Sequence, residues 1–513
     1  MRHFLFICLL SITSLFIHGY RFGVSDQEIF IPYILKWQDQ TLFQKDDLFN
    51  QISAHTSAFY PIFGYISKLI NIEVVFFISY IIFKFLFFCA IFKLAKTILK
   101  NNNLAFASLL MFIMPKFIGG TATSTFDDFF GYRSLGSIFL IYYIACCLEG
   151  KLKSSLLFAM AGFLFHPLSI IANAPILAVI FIRNKFKLNT KKLFLILGIV
   201  GLVALGISLQ LPQDDQWFSV IKQRNNFLLV SSWGVKSFLS LFLYLGLILY
   251  FVRKIFTKTK KDILIITTVC LLTFVINILV FDVLKNPELA KFQLVRSITP
   301  LAYIGLAMCP MFLIGKKLHE RLVGWACFIS LSLNLFYIFI IFFAVFFIFD
   351  IMSKNSQSFK LKDKTIFILI TTILILGAFS RGLSFQRIAN KIQYPKPLND
   401  WINLQLWAKS NTAKSSIFLV PPTQTGFRIY SQRPIVGDMK DGAVAIYSSS
   451  YAKKWSEANK DFKNYDSLTE TDVNSLKEKY GFSFLVNPKD ASNNNYLKFN
   501  VVYKNGSFVV YKL

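Results

Sequence analysis

The stretch VVFFISYIIFKFLFFCAIFKLAKTI, residues 74–98, decides the class of this chain. A helix needs roughly 20 apolar residues to cross about 30 Å of hydrocarbon. From Val74 to Phe92 the one charge is Lys84, and the run then closes on Lys93, Lys96 and Lys100. A helix apolar on every face lies either deep in a large core or in lipid. Blocks of this kind recur along the chain, and their repetition selects lipid. The basic end marks the cytoplasmic side.

Composition agrees. The chain is 55% hydrophobic and only 16% charged, with 58 phenylalanines, whereas soluble domains carry about a quarter charged residues. The net charge of +28 would point to nucleic acid in a soluble protein. Here Lys and Arg sit mainly in short loops between apolar blocks, which is the positive-inside pattern. Nucleic acid is therefore set aside as a partner. The same charge attracts membrane lipid headgroups or a phosphorylated lipid. All seven cysteines fall in apolar segments, with no disulfide framework or zinc spacing. The N-terminal run to Ile17 is followed by no small-x-small cleavage site, so it reads as an uncleaved first span.

Single spans are expected at about 4–19, 74–98, 104–121, 134–148, 192–211, 235–253, 262–281, 297–315 and 365–380. Two longer stretches, 154–182 and 322–349, have basic residues on both flanks, so each reads as a hairpin of two short helices. Pro167 removes a backbone donor and disfavours helix at His166, which places the first turn. Residues 57–72 look too interrupted to span and are expected along the interface. That makes about 13 membrane segments. The loops 20–56, 121–131, 212–234 and 282–296 then face outside, with the tail. One long tilted helix at 322–349 would instead put the tail in the cytoplasm.

The tail changes character. Helix patterns lie near 398–410, 441–457 and 470–480. Strand patterns lie at 417–421, 433–437, 482–486 and in a pair around Asn505-Gly506, a strong hairpin signal. The expected fold is an α-helical polytopic membrane domain, 1–381, followed by a small C-terminal α/β domain, 382–513.

No P-loop, dinucleotide fingerprint or H-E-x-x-H motif is present. Chemistry is expected where charges gather at the outer membrane face. Asp26 and Glu28, just after the first span, can take a proton from an acceptor hydroxyl, or can be ordinary loop carboxylates. Asp127 and Asp128, flanked by phenylalanines, offer hard oxygens for Mg²⁺ or Mn²⁺. Adjacent residues point in different directions, so one of the two is expected to reach a site. Arg133 and Arg296 open apolar segments. Charges there face protein or water-filled cavities, and guanidinium forks suit phosphate; snorkelling to the interface is the plain alternative. His166 can contact phosphate, relay a proton, or merely satisfy backbone.

Together these positions resemble the GT-C superfamily of membrane glycosyltransferases. The shared features are acids after the first span (Asp26, Glu28), acids in the next outer loop (Asp127, Asp128), many spans and a soluble outer tail. More closely, the chain looks like an uncharacterised family of bacterial multi-spanning proteins. The likeness lies in Gly23-Val24-Ser25-Asp26-Gln27-Glu28 near the start. In the tail it lies in Trp407-Ala408-Lys409-Ser410, Phe418-Leu419-Val420-Pro421-Pro422, Gly426-Phe427-Arg428 and Ser431-Gln432-Arg433. Many members carry adjacent acids after the first span, whereas Gln27 here separates Asp26 from Glu28.

The resemblance implies an inverting transfer of sugar from a polyprenyl-phosphate donor to a lipid or cell-envelope glycan acceptor. Asp26 or Glu28 would be the base, and a divalent ion would be held by acids of both loops in metal-dependent members. Arg133, His166 and Arg296 would serve the donor, and Arg428 and Arg433 the acceptor. It also implies a bacterial plasma-membrane location with an extracytoplasmic tail. Competing classes are a glycolipid transporter or flippase and an envelope-assembly scaffold. A transporter is expected to show an internal repeat, and none is evident between the halves.

Overall fold

Among the described residues, five helices are long and apolar enough to cross a membrane: Ile72–Leu99, Pro167–Phe186, Val235–Lys254, Thr257–Val283 and Ala290–Leu313. The shorter apolar helices Phe4–His18, Leu152–Phe165 and Phe336–Ile351 accompany them. The chain is thus a predominantly helical membrane protein with a small C-terminal sheet domain. These elements come from a computed structural model that describes residues 2–51, 57–186, 210–314, 318–352, 391–492 and 498–513, and singly 192, 198, 206 and 372. The spans expected at 192–211 and 365–380, and the domain boundary at 381/382, lie outside the described residues.

Both hairpins form. Helix Leu152–Phe165 stops at His166, and Pro167 opens the short helix Pro167–Ile171. After a turn the chain continues as Ala174–Phe186, so this segment has three pieces rather than two. Between 318 and 352 the chain makes two packed helices, Leu318–Ser332 and Phe336–Met352. Asn334 turns between them with φ +61°.

Three sequence expectations need correction. Residues 104–121 are not one span. The helix Asn102–Leu110 ends early, and the chain then forms a small antiparallel hairpin, β1 (Phe117–Ile118) with β2 (Thr123–Ser124). Pro115 bars continued helix at Met114, and Lys116 is anchored elsewhere. Its ammonium donates to Leu331 O at 2.6 Å, Ser332 O at 2.7 Å and Asn334 Oδ1 at 2.5 Å. A cation on the last carbonyls of a helix opposes the negative end of its dipole, so this contact ties the β1–β2 region to the second hairpin. The loop 20–56 holds two helices, Gln27–Gln38 and Asp47–Gln51. The loop 212–234 holds helix Asp215–Arg224.

Phenylalanine does structural work near the outer connections. Phe30, Phe59, Phe63, Phe76 and Phe130 are buried and pack with ring centroids 4.4–6.3 Å apart. They join helix Gln27–Gln38, helix Phe59–Leu69, the start of Ile72–Leu99 and the loop before Tyr132.

In the tail, β3 (Phe418–Leu419) pairs in parallel with β4 (Phe484–Pro488). Strand β6 (Phe508–Lys512) lies antiparallel between β4 and β5 (Asn500–Lys504), giving the order β3-β4-β6-β5. The terminal hairpin forms as expected, but its turn is one residue on. Asn505 N–H donates to Phe508 O at 3.0 Å, which leaves Gly506-Ser507 at the centre. Helices Asp400–Asn411, Ser449–Asp461 and Glu470–Tyr480 complete the domain.

Candidate functional site

The chain leaves the first helix extended. Tyr20 N–H donates to Lys391 O at 2.9 Å, and Arg21 N–H to Asp128 O at 2.7 Å. Ser25, at φ +56°, turns it back so that Asp26 sits at the N-cap of helix Gln27–Gln38. An N-cap aspartate normally accepts from the backbone of the first turn. Asp26 makes no such bond, and its carboxylate is aimed elsewhere. Gln27 holds the turn: its Oε1 accepts from Gly23 N–H at 2.6 Å, and its Nε2 donates to Phe130 O at 2.9 Å.

The second connection is fixed from three sides. Tyr80 Oη donates to Asp127 O at 2.9 Å, and Tyr303 Oη donates to Thr125 O at 3.0 Å. The Lys84 ammonium lies 3.5 Å from the ring centroid of Phe126, a cation–π contact.

These frames bring Asp26 and Asp127 to one guanidinium. Arg133, in the first turn of helix Tyr132–Glu149, donates to Asp127 Oδ2 from Nε at 3.1 Å and from a terminal nitrogen at 2.7 Å. The same terminal nitrogen lies 3.4 Å from Asp26 Oδ2. The other oxygen of Asp26 accepts from Lys440 Nζ at 2.8 Å, so the tail completes the cluster. Asp127, Arg133 and Arg296 line one cavity of about 30 Å³ with Ser169 and Asn173. Two of these lining residues carry a buried polar atom without a hydrogen-bond partner, Arg296 at Nε and Asn173 at Oδ1. A buried, unmatched donor and acceptor of this kind is costly unless a ligand or solvent satisfies them.

The remaining expected residues are placed elsewhere. Asp128 turns away from Asp127 and meets Arg21 Nε at 2.5 Å. Glu28 faces the tail near Thr425 and Gly426. The His166 ring lies tilted against Tyr132, with centroids 5.0 Å apart, and its Nδ1 is 2.5 Å from Ser169 Oγ. It does not line the Asp127–Arg133–Arg296 cavity. Arg428 and Arg433, expected as acceptor ligands, are engaged internally. Arg428 is buried between Asp46 and Asp441. Arg433 donates to Lys409 O and Thr412 O, each at 2.6 Å, closing the C-terminal end of helix Asp400–Asn411. Sequence reading missed Lys440, Arg21 and Gln27. Gln27 stood in plain view between two acids, but its tie to Phe130 has no local signature.

Charge follows geometry. Burial pushes the Asp26 carboxyl up, but Lys440 and Arg133 outweigh burial and hold it well below the usual carboxylate range. For Glu28 burial wins over Thr425, Lys440 and Lys396, and its carboxyl is raised. Asp127 is also raised, because burial exceeds the pull of Arg133. Environments that push neighbouring carboxyls apart are the usual basis for separate acid and base roles. For a divalent ion the fit is poor. Asp127 and Asp128 face different cations, and among the described residues no group of three or more His, Cys, Asp or Glu side chains is disposed to hold a metal.

Comparison with known proteins adds little. A family model described as a domain of unknown function, DUF6798, matches residues 399–461. Those residues contain Arg428, Arg433, Lys440 and Asp441. No curated protein matches the sequence. Among solved structures, the apo oligosaccharyltransferase of Archaeoglobus fulgidus aligns at 11% identity and TM-score 0.44, over 95% of this chain and 69% of that one. A likeness at that score carries no argument.

Proposed function

We propose that this chain is a membrane glycosyltransferase that takes sugar from a polyprenyl-phosphate carrier and passes it to a lipid or cell-envelope glycan. One observation carries the proposal: Arg133 joins Asp26 and Asp127, acids from separate connections, and Asp127, Arg133 and Arg296 line one cavity beside Asp26. Guanidinium groups suit the donor phosphate, whose negative charge grows as the sugar leaves. Asp26 is the proposed base. A carboxylate held ionised by Lys440 and Arg133 is a weak base. A donor phosphate that draws those cations away restores its basicity when substrate is bound. Glu28, with its raised carboxyl, is the second candidate. The same proposal has the protein working in a bacterial plasma membrane with its tail outside.

The test uses the full chain in lipid nanodiscs with radiolabelled polyprenyl-phosphate sugars. Asp26→Asn should lower transfer at least ~10²-fold while donor is still retained. Arg133→Gln and Arg296→Gln should weaken retention of polyprenyl phosphate but not of neutral polyprenol. Full transfer by Asp26→Asn removes Asp26 from the role of base, and equal retention of both lipids by the arginine variants removes the phosphate site.

A further inference from the structure

We propose that Arg133 and Lys440 together do in this site what a bound divalent cation does elsewhere: they bridge and neutralise the acids, and the site takes up no Mg²⁺ or Mn²⁺. Three features of the cluster support this.

The first is position. Mg²⁺ bridging Asp26 and Asp127 would sit about 2.1 Å from an oxygen of each. A terminal nitrogen of Arg133 already stands between them, 2.7 Å from Asp127 Oδ2 and 3.4 Å from Asp26 Oδ2. The second Asp26 oxygen is taken by Lys440 at 2.8 Å. An ion could enter only by displacing both side chains.

The second is charge. Asp26 and Asp127 are matched by Arg133 and Lys440, and Arg296 lines the adjoining cavity with its Nε unpaired. The neighbourhood already leans positive. Adding a divalent cation would place like charges together at short range, which is strongly unfavourable away from bulk water. An anion such as phosphate is the complementary guest.

The third is the donor set. Mg²⁺ takes about six oxygens but is usually held through only one or two carboxylates, with waters completing the shell. Both carboxylates here, Asp26 and Asp127, are already paired with Arg133 and Lys440. Of the other acids nearby, Asp128 is held by Arg21 at 2.5 Å and Glu28 faces the tail near Thr425 and Gly426.

Lys440 comes from the tail, so the tail supplies one of the two cations and the site is complete only when the tail is docked. The proposal rests on the catalytic reading of this site only for its consequence in activity. Metal uptake itself is measured without donor or acceptor, so a failure of sugar transfer leaves the measurement untouched.

The experiment is titration of free Mn²⁺, followed by electron paramagnetic resonance, against the full chain in nanodiscs. The wild type should leave the free-ion signal unchanged at millimolar Mn²⁺. The Arg133→Gln, Lys440→Gln double variant, checked as monodisperse and helical by circular dichroism, should take up one Mn²⁺ per chain. Adding Asp127→Asn to it should abolish that uptake. A wild-type chain that binds one Mn²⁺, lost on Asp127→Asn, overturns the proposal. So does a folded double variant that binds none, because those two cations would then not be what excludes a metal. Should the double variant fail to fold, the wild-type titration still decides.

Discussion

Arg428 spends four hydrogen bonds on two acids. Its Nε and one terminal nitrogen donate to Asp46 at 2.7 and 3.0 Å, and its terminal nitrogens donate to Asp441 at 2.8 Å each. The three side chains are 1–3% exposed. Fork geometry of this kind was legible as a propensity of arginine, but not its object: Asp46 lies 382 positions away. Removing one member of a buried ion pair costs about 3–5 kcal/mol, because the other charge is left uncompensated. Arg428→Ala should therefore lower the thermal midpoint of the detergent-solubilised protein strongly, and Asp46→Ala comparably; an unchanged midpoint in either would show the clamp to be dispensable. Nearby Asp438 gives a pH prediction. Burial and the neighbouring Asp441 raise its carboxyl well above the usual carboxylate range. The native state thus keeps a proton that the unfolded chain releases above pH ~4. Stability contributed by that proton is lost as pH rises from there toward the native value, and then levels off. Asp438→Asn keeps an oxygen for the Lys440 and Asp441 N–H groups, now accepted at 2.9 and 3.1 Å. It should be more stable than wild type at pH 8, by ~1 kcal/mol or more, and near equal at pH 4–5. Parallel stability curves across that range would contradict the assignment.

At the scale of elements, what is local in sequence was legible and what depends on packing was not. Apolar length gave Ile72–Leu99 almost to its ends, and Pro167 marked the break at His166. Residues 104–121 misled because hydropathy counts apolar side chains without asking what they face. Met111, Phe112, Ile113 and Met114 are all at most 1% exposed, so they are wrapped in protein rather than lipid. Irregular backbone at membrane depth is tolerated where protein covers it. Gly120 shows how tightly this piece is held. It sits at φ +70°, and a Cβ there would come within 1.9 Å of the Trp233 ring. Gly120→Ala combines a left-handed strain with a ring clash, and should cost about 2–5 kcal/mol, read as a fall in thermal midpoint and in yield of folded protein. A neutral result would mean that β1–β2 and Trp233 are free to separate. The site divides the same way. Asp26, Asp127, Arg133 and Arg296 could be picked out because ionisable groups beside apolar spans are costly and need a reason. Lys440 could not, since its contact with Asp26 spans 414 positions.

At the scale of the whole molecule, the tail docks on one end of the bundle. Lys440 meets Asp26, Arg428 meets Asp46, and Lys414 meets Asp39 at 2.6 Å, all in the first connection. Tyr430 Oη donates to Glu73 at 2.7 Å, at the start of helix Ile72–Leu99. Helix Asp215–Arg224 joins from another connection, with Trp217 Nε1 donating to Ala445 O at 2.8 Å. The far end of the bundle is marked by the ion pairs of Glu149 with Lys93 and Lys151. The first connection and the tail therefore share a side, and the turn after Glu149 takes the other. This can be tested without knowing which side is outside. Single cysteines at the exposed positions Gln40, Ser475 and Lys153 can be probed in intact cells with a membrane-impermeant maleimide. The seven native cysteines are buried or half-buried and give the background. Gln40→Cys and Ser475→Cys should label together, and Lys153→Cys should behave oppositely until the cells are opened. If Gln40→Cys and Ser475→Cys fall on opposite sides, Lys440 cannot reach Asp26, and both the shared site and the fixed-cation proposal fail with it. With both labelled from outside, the acids, the guanidinium groups and the tail lysine face the compartment where an envelope glycan would be built.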